Sequence, residues 1–158
     1  MARSKRSLKA VYVAVALVAA VYVVQEFGAA TRSEQSRTDA GIAQSESAGS
    51  GVVEQAFAEK RSDFFVTIDA RIKRILSDDR QEPRHQRFIV EFPSGHTVLI
   101  AHNIDLAPRV ENIAAGQPVR VRGEYEWNPE GGVIHWTHHD PAGRRAGGWI
   151  EHDSRRYD

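Results

Sequence analysis

The chain has 158 residues, room for one domain and its appendages but not for a second domain of enzyme size. It contains no cysteine, which excludes disulfides, thiolate metal sites and cysteine nucleophiles, so any metal would fall to His, Asp or Glu. The formal charge is zero overall, and Arg61 to Asp158 carries 14 Lys/Arg against 15 Asp/Glu. That balance gives no support for nucleic acid as a partner.

The N-terminus reads as an address. Met1 to Lys9 holds Arg3, Lys5, Arg6 and Lys9 with no anion, and Ala10 to Val24 is an unbroken apolar run. Small residues follow, with Gly28 and Ala30 suited to cleavage before Thr31. Residues 1–30 are therefore expected to be a signal peptide or a signal anchor. Fifteen helical residues reach only about 22 Å, which favours cleavage, whereas the Val-rich run favours retention in the inner membrane. Both outcomes place the rest of the chain outside the cytoplasm, periplasmic or anchored, because the cations remain inside.

Residues 31–60 are rich in Ser, Ala, Gly, Gln and Glu and read as a flexible linker, with a short helix expected over Val52 to Lys60. From Phe64 the pattern alternates. Phe64, Val66, Ile68, Ala70 and Ile72 predict a half-buried strand, and the phase break at Ile75-Leu76 predicts a bulge near Lys73-Arg74. His85 to Phe92 and His96 to Ala101 flank Pro93-Ser-Gly95 as a hairpin. His102 to Gln117 is expected to hold one or two helical turns, punctuated by Pro108 and Gly116. Val119 to Trp127 and Val133 to His139 form a second hairpin around Asn128 to Gly132, and Gly148 to Glu151 adds a short edge.

Five strands with a helical segment between the third and fourth predict an all-β domain over 61–158: a five-stranded OB-like Greek-key barrel preceded by an N-terminal apolar helix. A different small barrel, SH3-like, is the runner-up.

Five of the seven histidines fall in three blocks: His85-Gln-Arg87, His102-Asn-Ile-Asp105 and His135-Trp-Thr-His-His-Asp140. If Tyr125 and Trp127 share the core with Ile134 and Trp136, strand alternation puts His135, Thr137 and His139 outside beside Arg122, Glu124 and Glu126, and turns His138 inward. Imidazole and carboxylate together can serve as acid and base near neutral pH or as metal ligands. Two readings follow. In the first, a binding module holds a polar or anionic ligand (nucleic acid, glycan or peptide) through Arg87, His102, Asn103, Arg109, Arg122, His135 and His139. In the second, a hydrolase acts on phosphoesters, with His102 or His138 as base and Asp105 or Asp140 orienting it. A divalent metal on His138, His139 and Asp140 would fit that chemistry, although the sequence requires none. Against both stands a structural reading: Asn103 or Asp105 as helix cap, Asp140 bonding its own turn, and histidines satisfied within the barrel.

The blocks His85-Gln-Arg-Phe-Ile-Val90, Val98 to Arg109, Gly123-Glu-Tyr-Glu-Trp-Asn128 and Gly131 to Pro141 resemble a bacterial family of small exported proteins known only as a domain of unknown function. The resemblance runs over roughly Phe64 to Tyr157. It implies a self-contained OB-like barrel and supplies no activity.

Overall fold

The computed structural model describes residues 49–158. The expected signal segment, and the expected linker as far as residue 48, lie outside the described residues. Among the described residues no helix is long and apolar enough to cross a membrane.

Residues 49–59 form helix α1. Val53, Ala56 and Phe57 recur at helical spacing, and Val53 and Ala56 are completely buried in the barrel core. The helix ends where Lys60 takes a left-handed conformation and the Arg61 N–H closes on the Ala56 carbonyl at 2.9 Å. The last part of the expected linker is thus a packed element of the domain.

Strands β1 (Phe64–Ile75), β2 (His85–Glu91), β3 (Thr97–Asn103), β4 (Pro118–Glu126) and β5 (Val133–His135) follow, then β6 (Trp149–His152) and β7 (Arg155–Tyr157). The first five pair in the order β1-β2-β3-β5-β4 and close through β1–β4 into a mixed barrel with the OB-like order. All these pairings are antiparallel except β3–β5, which is parallel. Strand β6 pairs with β4 beyond the end of β5, and β7 extends from β6.

The expected bulge is present: the β1–β2 register shifts between Ile72 and Arg74. The core is the inward set, including Ile68, Phe88, Val90, Ile100, Val121, Tyr125, Ile134 and Ile150.

Of the one or two helical turns expected between β3 and β4 a single one forms, closed by the Ala107 N–H on the Asn103 carbonyl at 3.2 Å; it does not continue into a helix, and the rest of residues 104–117 is turn and irregular backbone. Buried Gln86 explains the difference. Its amide donates to the Val110 carbonyl at 3.0 Å and accepts from the Val110 N–H at 2.8 Å, so neither backbone group is left for a helix. Pro108 lacks an N–H, and Asn112 is left-handed. Strand β7 was not anticipated; the left-handed pair Asp153-Ser154 turns the chain from β6 into it.

Since Val53 is fully enclosed, Val53→Ala is expected to cost about 2 kcal/mol by loss of two methyl groups and the cavity left behind. A urea titration that showed no shift of midpoint would mean that α1 is not part of the cooperative unit.

Candidate ligand-binding face

The histidine blocks meet at one end of the barrel, and most of their polar atoms are already engaged there. His102 on β3 is fully buried. Its Nε2 lies 3.0 Å from the Pro108 carbonyl, which can only accept, so that nitrogen carries the proton. Its Nδ1 then accepts from the Thr137 hydroxyl at 2.8 Å. Burial pushes the imidazole below its ordinary value, partly offset by the bond to Pro108, and the neighbouring His138 lowers it further. His102 is a neutral tie between β3, the β3–β4 loop and the segment after β5.

That segment departs from the predicted strand. Strand β5 stops at His135 because Trp136 adopts φ of +53°, which reverses the side-chain alternation. Thr137 therefore points inward and is fully buried rather than lying outside with His135 and His139. His138 is buried as expected; its Nδ1 donates to the His139 carbonyl at 2.7 Å and its ring packs on Trp136 at 4.8 Å. Glycine lets the backbones approach: a Cβ on Gly148 would strike the carbonyl oxygens of Trp136 and Arg122. Trp127 and Trp136, expected in the core or at its rim, are partly buried, and Trp127 packs against the core.

The carboxylates are committed too. Asp105 accepts the Arg84 N–H and Nε, both at 2.7 Å, and these bonds hold its carboxyl below the usual range. Asp140 accepts the N–H groups of Ala142, Arg144 and Arg145 at 3.0, 2.7 and 2.9 Å, which likewise lowers its carboxyl. It closes its own turn. Asn103 accepts the Asp105 N–H at 2.9 Å on its side chain and the Ala107 N–H at 3.2 Å on its carbonyl, and so caps the single turn that follows β3. Among the described residues no three His, Asp or Glu side chains gather as a metal site would require.

The arginines named from sequence are dispersed. Arg87 donates twice to the Ser77 carbonyl, at 3.1 and 3.0 Å; Arg109 pairs with Asp78 at 3.2 Å. Arg122 reaches Gly147 and Thr67, both at 3.4 Å, beside the Phe65 ring. His135 faces Glu126 at 3.6 Å, as the expected register requires, since Glu124 pairs with His135 and Tyr125 with Ile134. His139 is exposed. Arg145, not singled out from sequence, lies between Trp136 and Phe65, 4.3 and 5.4 Å from their rings, and pairs with Glu124.

A different face is open. On β2 and β3, Phe88, Val90, Val98 and Ile100 point inward, so Ile89 and Leu99 point out, directly opposite one another. They are only half-buried, although both are large aliphatic groups. With Leu76 after β1 and Asn128, Glu130 and Gly132 between β4 and β5, they line a hollow of about 320 Å³. A second, of about 390 Å³, continues over Ile89 to Lys73 and Arg74. Two larger hollows, about 450 and 500 Å³, share Asp69 and Ala70 on β1. Their charges are largely spent on one another, as in Asp69 with Arg120 and Glu151 with Arg156. The sequence signal for the aliphatic face was the triplets Phe88-Ile-Val90 and Val98-Leu-Ile100: three apolar residues in succession make both faces of a strand apolar.

Thr137→Val is expected to strip His102 Nδ1 of its donor and destabilise the fold by about 1–3 kcal/mol in urea unfolding. The pH dependence follows from the lowered imidazole. The unfolded chain takes up a proton first as pH falls, so stability is full above the ordinary value of 6.5 and declines below it toward the folded value. Urea midpoints measured from about pH 8 to about pH 5 are expected to fall, and His102→Gln to flatten that slope; an unchanged slope in the variant would refute the assignment.

No curated protein matches the chain. The model of one family does match it, over residues 39–158, which takes in all of the barrel and the helix that packs into it. The chain belongs to that family, described as Protein of unknown function (DUF3465).

Proposed function

We propose that the domain is an extracytoplasmic binding module that holds an extended, polymeric ligand across the outer face of β2 and β3. The observation that carries this reading is the outward Ile89–Leu99 pair lying in a hollow walled by the β1–β2 and β4–β5 connections. Barrels of this order bind oligomeric ligands on that face and between those two loops, an argument by analogy of fold. The cationic N-terminus and the apolar run after it support placing the module outside the cytoplasm.

The hydrolytic reading has less support. Of its two candidate bases, His102 has both ring nitrogens bonded and His138 is buried with its Nδ1 on the His139 carbonyl, and the orienting groups Asp105 and Asp140 are held by backbone N–H groups elsewhere.

Amide NMR spectra recorded during titration with a deoxythymidine oligomer, a chitin oligosaccharide and an extended peptide are the direct test. At least one of them is expected to move the resonances of Ile89, Leu99 and Val133, and Leu99→Asp to abolish the response while leaving the remaining spectrum intact. Shifts concentrated at His135, His138 and His139 instead would sink the proposal.

A further inference from the structure

The register places five outward residues in one row across the barrel. Arg74 on β1 is opposite Ile89, Ile89 opposite Leu99, Leu99 opposite Val133, and Val133 opposite Glu126. The row therefore reads cation, three aliphatic groups, anion. Arg74 is exposed and its guanidinium has no ion-pair or hydrogen-bond partner among the described residues, while its neighbour Lys73 is taken by Glu91 at 2.6 Å. At the far end Glu126 is exposed, its carboxylate met among the described residues only by His135 at 3.6 Å, and Glu130 lies nearby in the wall of the hollow.

From this row we infer that the ligand is an extended peptide segment of a partner protein, with an acidic side chain at one end, two aliphatic side chains in the middle and a basic one at the other end, at alternate positions. This rests on the binding reading above and names its ligand. Spacing supports it: four strand-to-strand steps of about 4.8 Å make about 19 Å, and six residues of extended chain rise about 20 Å. Side chains at positions one, three, five and seven of a heptapeptide then fall on Arg74, between Ile89 and Leu99, between Leu99 and Val133, and on Glu126. Chemistry supports it as well. Single-stranded nucleic acids are held by aromatic stacking and cationic grooves, and among the described residues no aromatic side chain lines the hollows over this face. An anion at one end of the row opposes a polyanion.

The probes are acetylated, amidated heptapeptides added to the full-length protein and followed by amide NMR: Glu-Ser-Leu-Ser-Leu-Ser-Lys, its analogue with Glu at both ends, and its analogue with Lys at both ends. The bipolar peptide is expected to bind best and to shift Ile89, Leu99 and Val133. Arg74→Glu is expected to weaken it about fivefold and to favour the doubly basic analogue; Glu126→Arg is expected to favour the doubly acidic one. Both variants change exposed residues, so an unaltered spectrum without peptide verifies the fold.

Equal binding of the three peptides, indifferent to the charges at their ends, would overturn the inference. So would silence of all three peptides while the thymidine oligomer or the chitin oligosaccharide moves the same resonances, an outcome that leaves the binding reading standing. Concentration-dependent shifts of these residues without any peptide would make a second copy of the chain the occupant and overturn the peptide. Silence toward every probe would overturn both readings.

Discussion

The barrel depends on one strand serving two partners. Strand β1 pairs with β4 from Phe64 to Arg71 and with β2 from Arg71 to Ile75, so the chain must change allegiance within a single strand. The register shift between Ile72 and Arg74 sits at that exchange. A bulge adds a residue and increases the local twist, which lets a sheet curl far enough to meet itself. Closure removes the open edges on which a small sheet would otherwise aggregate, and it fixes the faces of β2, β3 and β5 relative to one another. The bulge also returns Arg74 to the outside, opposite Ile89, which gives the transverse row its cationic end.

Much of this was legible in the sequence because strand alternation is a local signal. The period of two in β1 and β4, the bulge and the Tyr125–Ile134 register are each set by a few neighbouring residues. The errors arose where a distant group decided the matter. Nothing within 104–117 announces that its backbone is occupied by Gln86, a side chain from another strand. Nothing near Trp136 announces that Gly148 approaches so closely that the chain there must turn.

Histidine and aspartate attract a reader's attention because of what they can do in an active site, but their hydrogen-bonding capacity serves packing equally well. The segment from Trp136 to Asp140 ties the end of the barrel through His102, Thr137, His138 and a capped turn. The face proposed for ligand instead has the composition of an ordinary strand. Ile89 and Leu99 stand out only when the inward set is known, because each sits inside a run whose other members belong to the core.

The topology also sets an order of events during synthesis. Strands β2 and β3 are joined by a short hairpin and can pair as soon as both have emerged, but Phe64 must wait for Tyr125, about sixty residues later. Until then most of β1 is an apolar strand without its main partner. Asp69, Arg71, Lys73 and Arg74 stand along it from its middle onward, and such charges discourage a nascent strand from pairing with another chain. The side chains that decorate the finished wall thus guard the unfinished one.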